Sequence, residues 1–150
     1  MAADLNAIAH VIQLSVAPVF LLTGIGALLG VMANRLARIV DRARTVEPLV
    51  CAAQPPERAH LEQEVADLAR RARLINRAIT LHVIAALLVC SVIVGLFVTA
   101  YYEWTPDLTR GLAGVFACAL LALILGLLSF LREVYVATQT LRIGHRPASR

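Results

Sequence analysis

The chain has 150 residues, of which 59% are hydrophobic and only 16% charged, with a mean hydropathy of +0.75. Soluble domains usually hold about 45–50% apolar and about 25% charged residues, so this composition argues against a soluble globular domain. The formal charge of +4 comes with Arg residues set beside apolar stretches, a pattern that suits an anionic membrane surface and not nucleic acid.

All fourteen basic residues are Arg. Codon bias in a GC-rich genome and contacts with lipid phosphate would each produce this. The three cysteines, Cys51, Cys90 and Cys118, lack metal-ligand spacing and do not read as a disulfide framework.

Crossing the hydrocarbon core takes about 20 mostly apolar residues in a helix. The first such stretch is predicted over about residues 7–33, with no charge between Asp4 and Arg35. It is not a convincing signal peptide, because its amino end lacks basic residues and its apolar run is too long. Pro18 is a candidate kink.

The helix is predicted to continue beyond the membrane as NRLARIVDRARTVE, Asn34 to Glu47. Leu36, Ile39, Val40, Ala43 and Val46 recur at helical spacing. Arg38 with Asp41, and Asp41 with Arg44, are placed to pair along its surface. Pro48, Pro55 and Pro56 predict a loop over about residues 48–56.

A returning helix is predicted from near Glu57. Leu61, Val65, Leu68, Ala72, Ile75, Ile79, His82 and Ala86 alternate steps of four and three, a heptad seam leading into a second span over about residues 78–100. The seam packs either against the preceding helix of the same chain or against another copy. Glu57, Glu62, Glu64 and Asp67 lie toward the loop. Arg70, Arg71, Arg73 and Arg77 lie toward the span and are candidates for binding anionic lipid head groups.

In the connector YYEWTPDLTR, Tyr101, Tyr102 and Trp104 suit a membrane interface, and Pro106 breaks the helix. A third span is predicted over about residues 112–131, followed by a tail over residues 132–150. The region 34–77 holds nine Arg, and the tail adds Arg132, Arg142, Arg146 and Arg150. The positive-inside rule then places both in the cytoplasm and the amino terminus outside.

The expected fold is therefore an all-α integral membrane protein. It is a single membrane domain, residues 1–150, with three transmembrane helices and a cytoplasmic helical hairpin extending the first two.

The stretch from His10 to Arg44 carries Pro18-Val19-Phe20, a Gly-rich core, and Asn34-Arg35 followed by Asp41-Arg42-Ala43-Arg44. In these features it resembles an uncharacterised bacterial family of small three-helix inner-membrane proteins, a domain of unknown function. About residues 5–140 fit. The resemblance implies architecture and a bacterial inner-membrane location, and it supplies no activity.

No hydrolase elbow, zinc-protease, Walker or Rossmann pattern occurs, so no catalytic residue, metal ligand or cofactor is expected. His10, His60, His82 and His145 have no metal-site spacing. His82 falls inside a span, where a polar side chain reads either as a functional group or as a hydrogen bond to a neighbouring helix.

Small residues recur every four positions in the third span at Gly114, Cys118, Ala122 and Gly126. Gly95 lies in a similar row in the second span, and Gly26 and Gly30 in the first. Such rows let helix backbones approach closely and favour a homo-oligomer.

One face of the first helix carries Asn6, His10, Gln13, Ala17, Phe20, Gly24, Leu28, Val31, Arg35, Arg38 and Arg42 within a stripe about 80° wide. Around an axis of several copies this face would line a pore, with a hydrophobic gate and an inner Arg ring. Two functions remain open: a homo-oligomeric ion or small-solute channel, or a non-conducting scaffold or regulator that binds a partner or anionic lipid.

Overall fold

A computed structural model describes the backbone of residues 2–101 and 106–142, and the side chains of residues 9–99 and 107–138. The described residues form three α-helices and no strand: α1 (Ala2–Ala52), α2 (Glu57–Tyr101) and α3 (Pro106–Arg142). Each helix holds an apolar stretch long enough to cross a membrane, with mean hydropathies of 2.2, 2.8 and 2.6. The chain is a multi-pass membrane protein. Asn6, Tyr101, Tyr102, Trp104, Arg142, His145, Arg146 and Arg150 have side chains outside the described residues.

Burial in each helix follows a heptad. On α1 the buried or half-buried positions run Val11, Ser15, Pro18, Leu22, Ile25, Leu29, Met32, Leu36, Ile39, Ala43 and Val46. On α2 they include the whole seam read from the sequence, with Leu68, Ile75 and His82 buried. On α3 they run Leu112, Val115, Ala119, Ala122, Gly126, Ser129, Glu133 and Val136. Steps alternating between three and four keep one stripe of a helix turned toward its neighbours.

The chain divides into two compact units, and each helix contributes a segment to each. The first unit, Met1–Gly30 with Thr80–Leu125, packs around Ile25, Ala85, Val89 and Ala119. Its outer surface is apolar, with Phe20, Leu87, Val94 and Leu121 all more than half exposed. Water penalises such a surface, whereas lipid tails do not. Its hydroxyls bond back to their own helix: Ser15 Oγ donates to the Val11 carbonyl at 2.7 Å and Ser91 Oγ to the Leu87 carbonyl at 2.9 Å. This leaves few polar groups to meet lipid.

The second unit, Val31–Ile79 with Gly126–Arg150, buries Ile39, Val46, Leu68 and Ile75. Burial of the seam residues in a single chain supports the packing of α2 against its own chain. One sequence expectation is corrected here. The predicted loop over residues 48–56 shrinks, because α1 runs through Pro48 to Ala52. Proline's fixed φ suits a helix and its ring removes a single backbone bond, while buried Val46 anchors the last turns. The Ala53 N–H still donates to the Leu49 carbonyl at 2.9 Å. After the third span α3 continues to Arg142, so it lies beside the hairpin that the extended α1 and α2 form.

Pro106 opens α3, a first-turn position where a missing N–H costs nothing.

Candidate functional site: an arginine cluster on a buried glutamate

Glu133 sits on the α3 seam and its side chain is fully buried. Arg71 of α2 donates to Glu133 Oε1 through both Nε and Nη2, each at 3.3 Å. Arg35 of α1 places Nη2 3.5 Å from Oε2, an ion pair whose geometry falls short of a hydrogen bond. The Arg35 guanidinium also lies 5.4 Å from the centre of the Phe130 ring, within cation–π range. A buried carboxylate costs several kcal/mol in lost hydration, about as much as each ion of a buried pair, and two guanidinium groups offset that cost. The cluster ties all three helices of the second unit together. Ser129 adds a bond from Oγ to the Leu74 carbonyl at 3.2 Å.

About two turns from this cluster, Arg42 Nε and Nη2 reach Glu64 Oε1 at 2.8 and 2.7 Å. The pairs expected along α1, Arg38 with Asp41 and Asp41 with Arg44, do not form among the described residues. Arg42 crosses to α2 because Glu64 lies on the facing helix, and Asp41 points outward. Arg35, Arg38, Ile39, Arg42, Leu68 and Arg71 together line a cavity of about 310 Å³.

The four candidate lipid-binding arginines divide. Arg71 turns inward onto Glu133, while Arg70, Arg73 and Arg77 are exposed and share one face of α2 at steps of three and four.

The candidate pore face divides as well. In the first unit His10, Gln13, Ala17, Phe20 and Gly24 are exposed and Leu28 is half-buried. In the second unit Val31, Arg38 and Arg42 are exposed and Arg35 is half-buried. Arg35 and Arg42, two members of the imagined inner ring, are held by carboxylates of their own chain.

Among the small-residue rows, Gly95 makes a close intrachain approach: a Cβ there would overlap the Leu112 side chain. A Cβ at Gly26, Gly30 or Gly114 would meet nothing within 4 Å. Cys118 is exposed, Ala122 half-buried and Gly126 buried. His82 is fully buried.

The residue that sequence reasoning missed is Glu133. Its signal was the third-helix heptad, which continues past Arg132 and puts position 133 on the inward stripe.

These long apolar helices, joined in one unit by a buried Arg–Glu–Arg cluster, define a small helical membrane protein. Over residues 15–143 the chain matches the family described as protein of unknown function (DUF2721), and it belongs to that family. No curated protein and no solved structure matches the chain.

Proposed function

We propose that this is a non-conducting scaffold or regulator of the bacterial inner membrane that holds anionic lipid through its Arg-rich unit. In this reading the Arg-rich unit and the carboxyl terminus are cytoplasmic and the amino terminus is outside, as the Arg distribution favours. The observation that carries the proposal is the split of the α2 arginines. The Arg71–Glu133 contact fixes the rotation of α2, and Arg70, Arg73 and Arg77 then face outward together. Each arginine near an anionic surface contributes about 1 kcal/mol, so the three supply about 3 kcal/mol, roughly a hundredfold in lipid partition.

The test uses full-length protein in nanodiscs of equal phosphatidylglycerol and phosphatidylcholine, with retained lipid identified by native mass spectrometry. Wild type should retain phosphatidylglycerol in excess, and Arg70→Gln/Arg73→Gln/Arg77→Gln should lose that excess. Equal retention of both lipids by wild type would defeat the proposal.

A second reading, a homo-oligomeric channel lined by α1, is favoured by one observation. The open faces at Gly26, Gly30 and Gly114 leave room for another backbone. A closed ring of copies that passes ions, with flux altered by Phe20→Ala, would establish it. A monomer in nanodiscs would end it.

A further inference from the structure

The cavity in the second unit is lined by four arginines, Arg35, Arg38, Arg42 and Arg71, over an apolar floor of Ile39 and Leu68. Ile39 and Leu68 are 5% and 8% exposed, so water is excluded from that side and the field of the charges is strengthened. The four guanidinium groups meet two carboxylates, Glu133 and Glu64, and an excess of two positive charges remains.

Three of the four are already held in place. Glu133 holds Arg71 and Arg35, Phe130 backs Arg35, and Glu64 holds Arg42. Each guanidinium carries five N–H donors in a planar fork. Arg71 and Arg42 each use only their Nε and Nη2 groups on a carboxylate, so both keep donors at Nη1. Fixed forks with donors to spare match the oxygens of a phosphate, and little side-chain entropy is lost when it binds.

We propose that this cavity is a binding site for a phosphate group, with Arg38 closing over an anion that Arg35, Arg42 and Arg71 receive. The site deepens the anionic-lipid reading and rests on it for its position at the membrane. From Arg35 to Arg42 the helix rises about 10 Å, and the head-group zone is about 5–8 Å deep on each side. With Arg35, the first charge after the apolar stretch of α1, at the level of the lipid phosphates, the Arg42 end would reach water. Either a lipid phosphomonoester or free phosphate satisfies the same chemistry.

The experiment keeps the full chain in phosphatidylcholine nanodiscs. One arm titrates inorganic phosphate by equilibrium dialysis. The other adds phosphatidic acid to the discs and scores its retention by native mass spectrometry. Arg38→Gln is the diagnostic variant, because Arg38 is exposed and holds neither carboxylate. Arg44→Gln removes the same charge from α1 outside the cavity. Arg38→Gln should weaken binding about tenfold, as expected for one charge-assisted contact, and Arg44→Gln less than about twofold.

Arg38-dependent binding in the first arm alone identifies free phosphate, and in the second arm alone a lipid head group. Equal effects of the two variants, or no binding in either arm, would overturn the site. Phosphatidylglycerol enrichment that survived such a result would leave the broader reading standing. Arg38-dependent phosphate binding without that enrichment would sink the broader reading alone.

Discussion

Glu133→Gln removes one charge from the centre of the second unit while keeping the shape of the side chain. The Glu133 side chain is 0% exposed, whereas those of Arg71 and Arg35 are 25% and 26% exposed. Removing one partner of a fully buried ion pair usually costs about 3–5 kcal/mol, because the other charge is stranded. Here both stranded guanidinium groups reach solvent in part, and a Gln oxygen still accepts from Arg71. The cost should therefore fall to about 2 kcal/mol. Reversible unfolding of the full chain in mixed micelles by increasing detergent denaturant measures it. Arg71→Gln and the double variant complete a cycle, and the coupling between positions 71 and 133 should be about 1 kcal/mol or more. Additive effects, or a Glu133→Gln variant as stable as wild type, would refute the buried cluster as the element that joins the three helices.

Three further outcomes follow from the same geometry. Gly95→Ala pushes a Cβ against the end of the Leu112 side chain, which must rotate away; that cost offsets the helix-propensity gain of about 1 kcal/mol, so the variant should be no more stable than wild type in the same unfolding assay. Gly114→Ala, which meets open space, should stay within about 1 kcal/mol of wild type as a monomer; a large fall in oligomer mass with unchanged monomer stability would instead mark position 114 as an interface. Pro48→Ala restores an N–H near the end of α1 and should stabilise by up to about 1 kcal/mol, read as a small rise in helical signal and unfolding midpoint.

The spans and the α2 seam were legible because both rest on periodicity and on the absence of charge, which are local properties. Leu68, Ile75 and His82 are buried where the steps of three and four put them. Pro48 misled because its local meaning, a break, yielded to packing: the seam continues through Val46, and a helix absorbs one missing bond near its end. The α3 extension was hidden by Arg132 and Glu133, two charges that look like the end of a span. Glu133 acquires its role from Arg71 and Arg35, which lie on two other helices and far earlier in the chain. No local pattern announces such a partner, although the heptad through Gly126 and Ser129 does point position 133 inward. The α2 seam already put Arg70, Arg73 and Arg77 on the opposite face and Arg71 on its flank; the carboxylate that Arg71 meets was what the sequence left out.

Lipid selectivity is read from native mass spectra of the full chain released from nanodiscs of equal phosphatidylglycerol and phosphatidylcholine. Wild type should carry excess phosphatidylglycerol, and that excess should vanish when Arg70, Arg73 and Arg77 are replaced together by Gln. Equal retention of the two lipids, or an excess that survives the triple replacement, would contradict the proposed lipid binding.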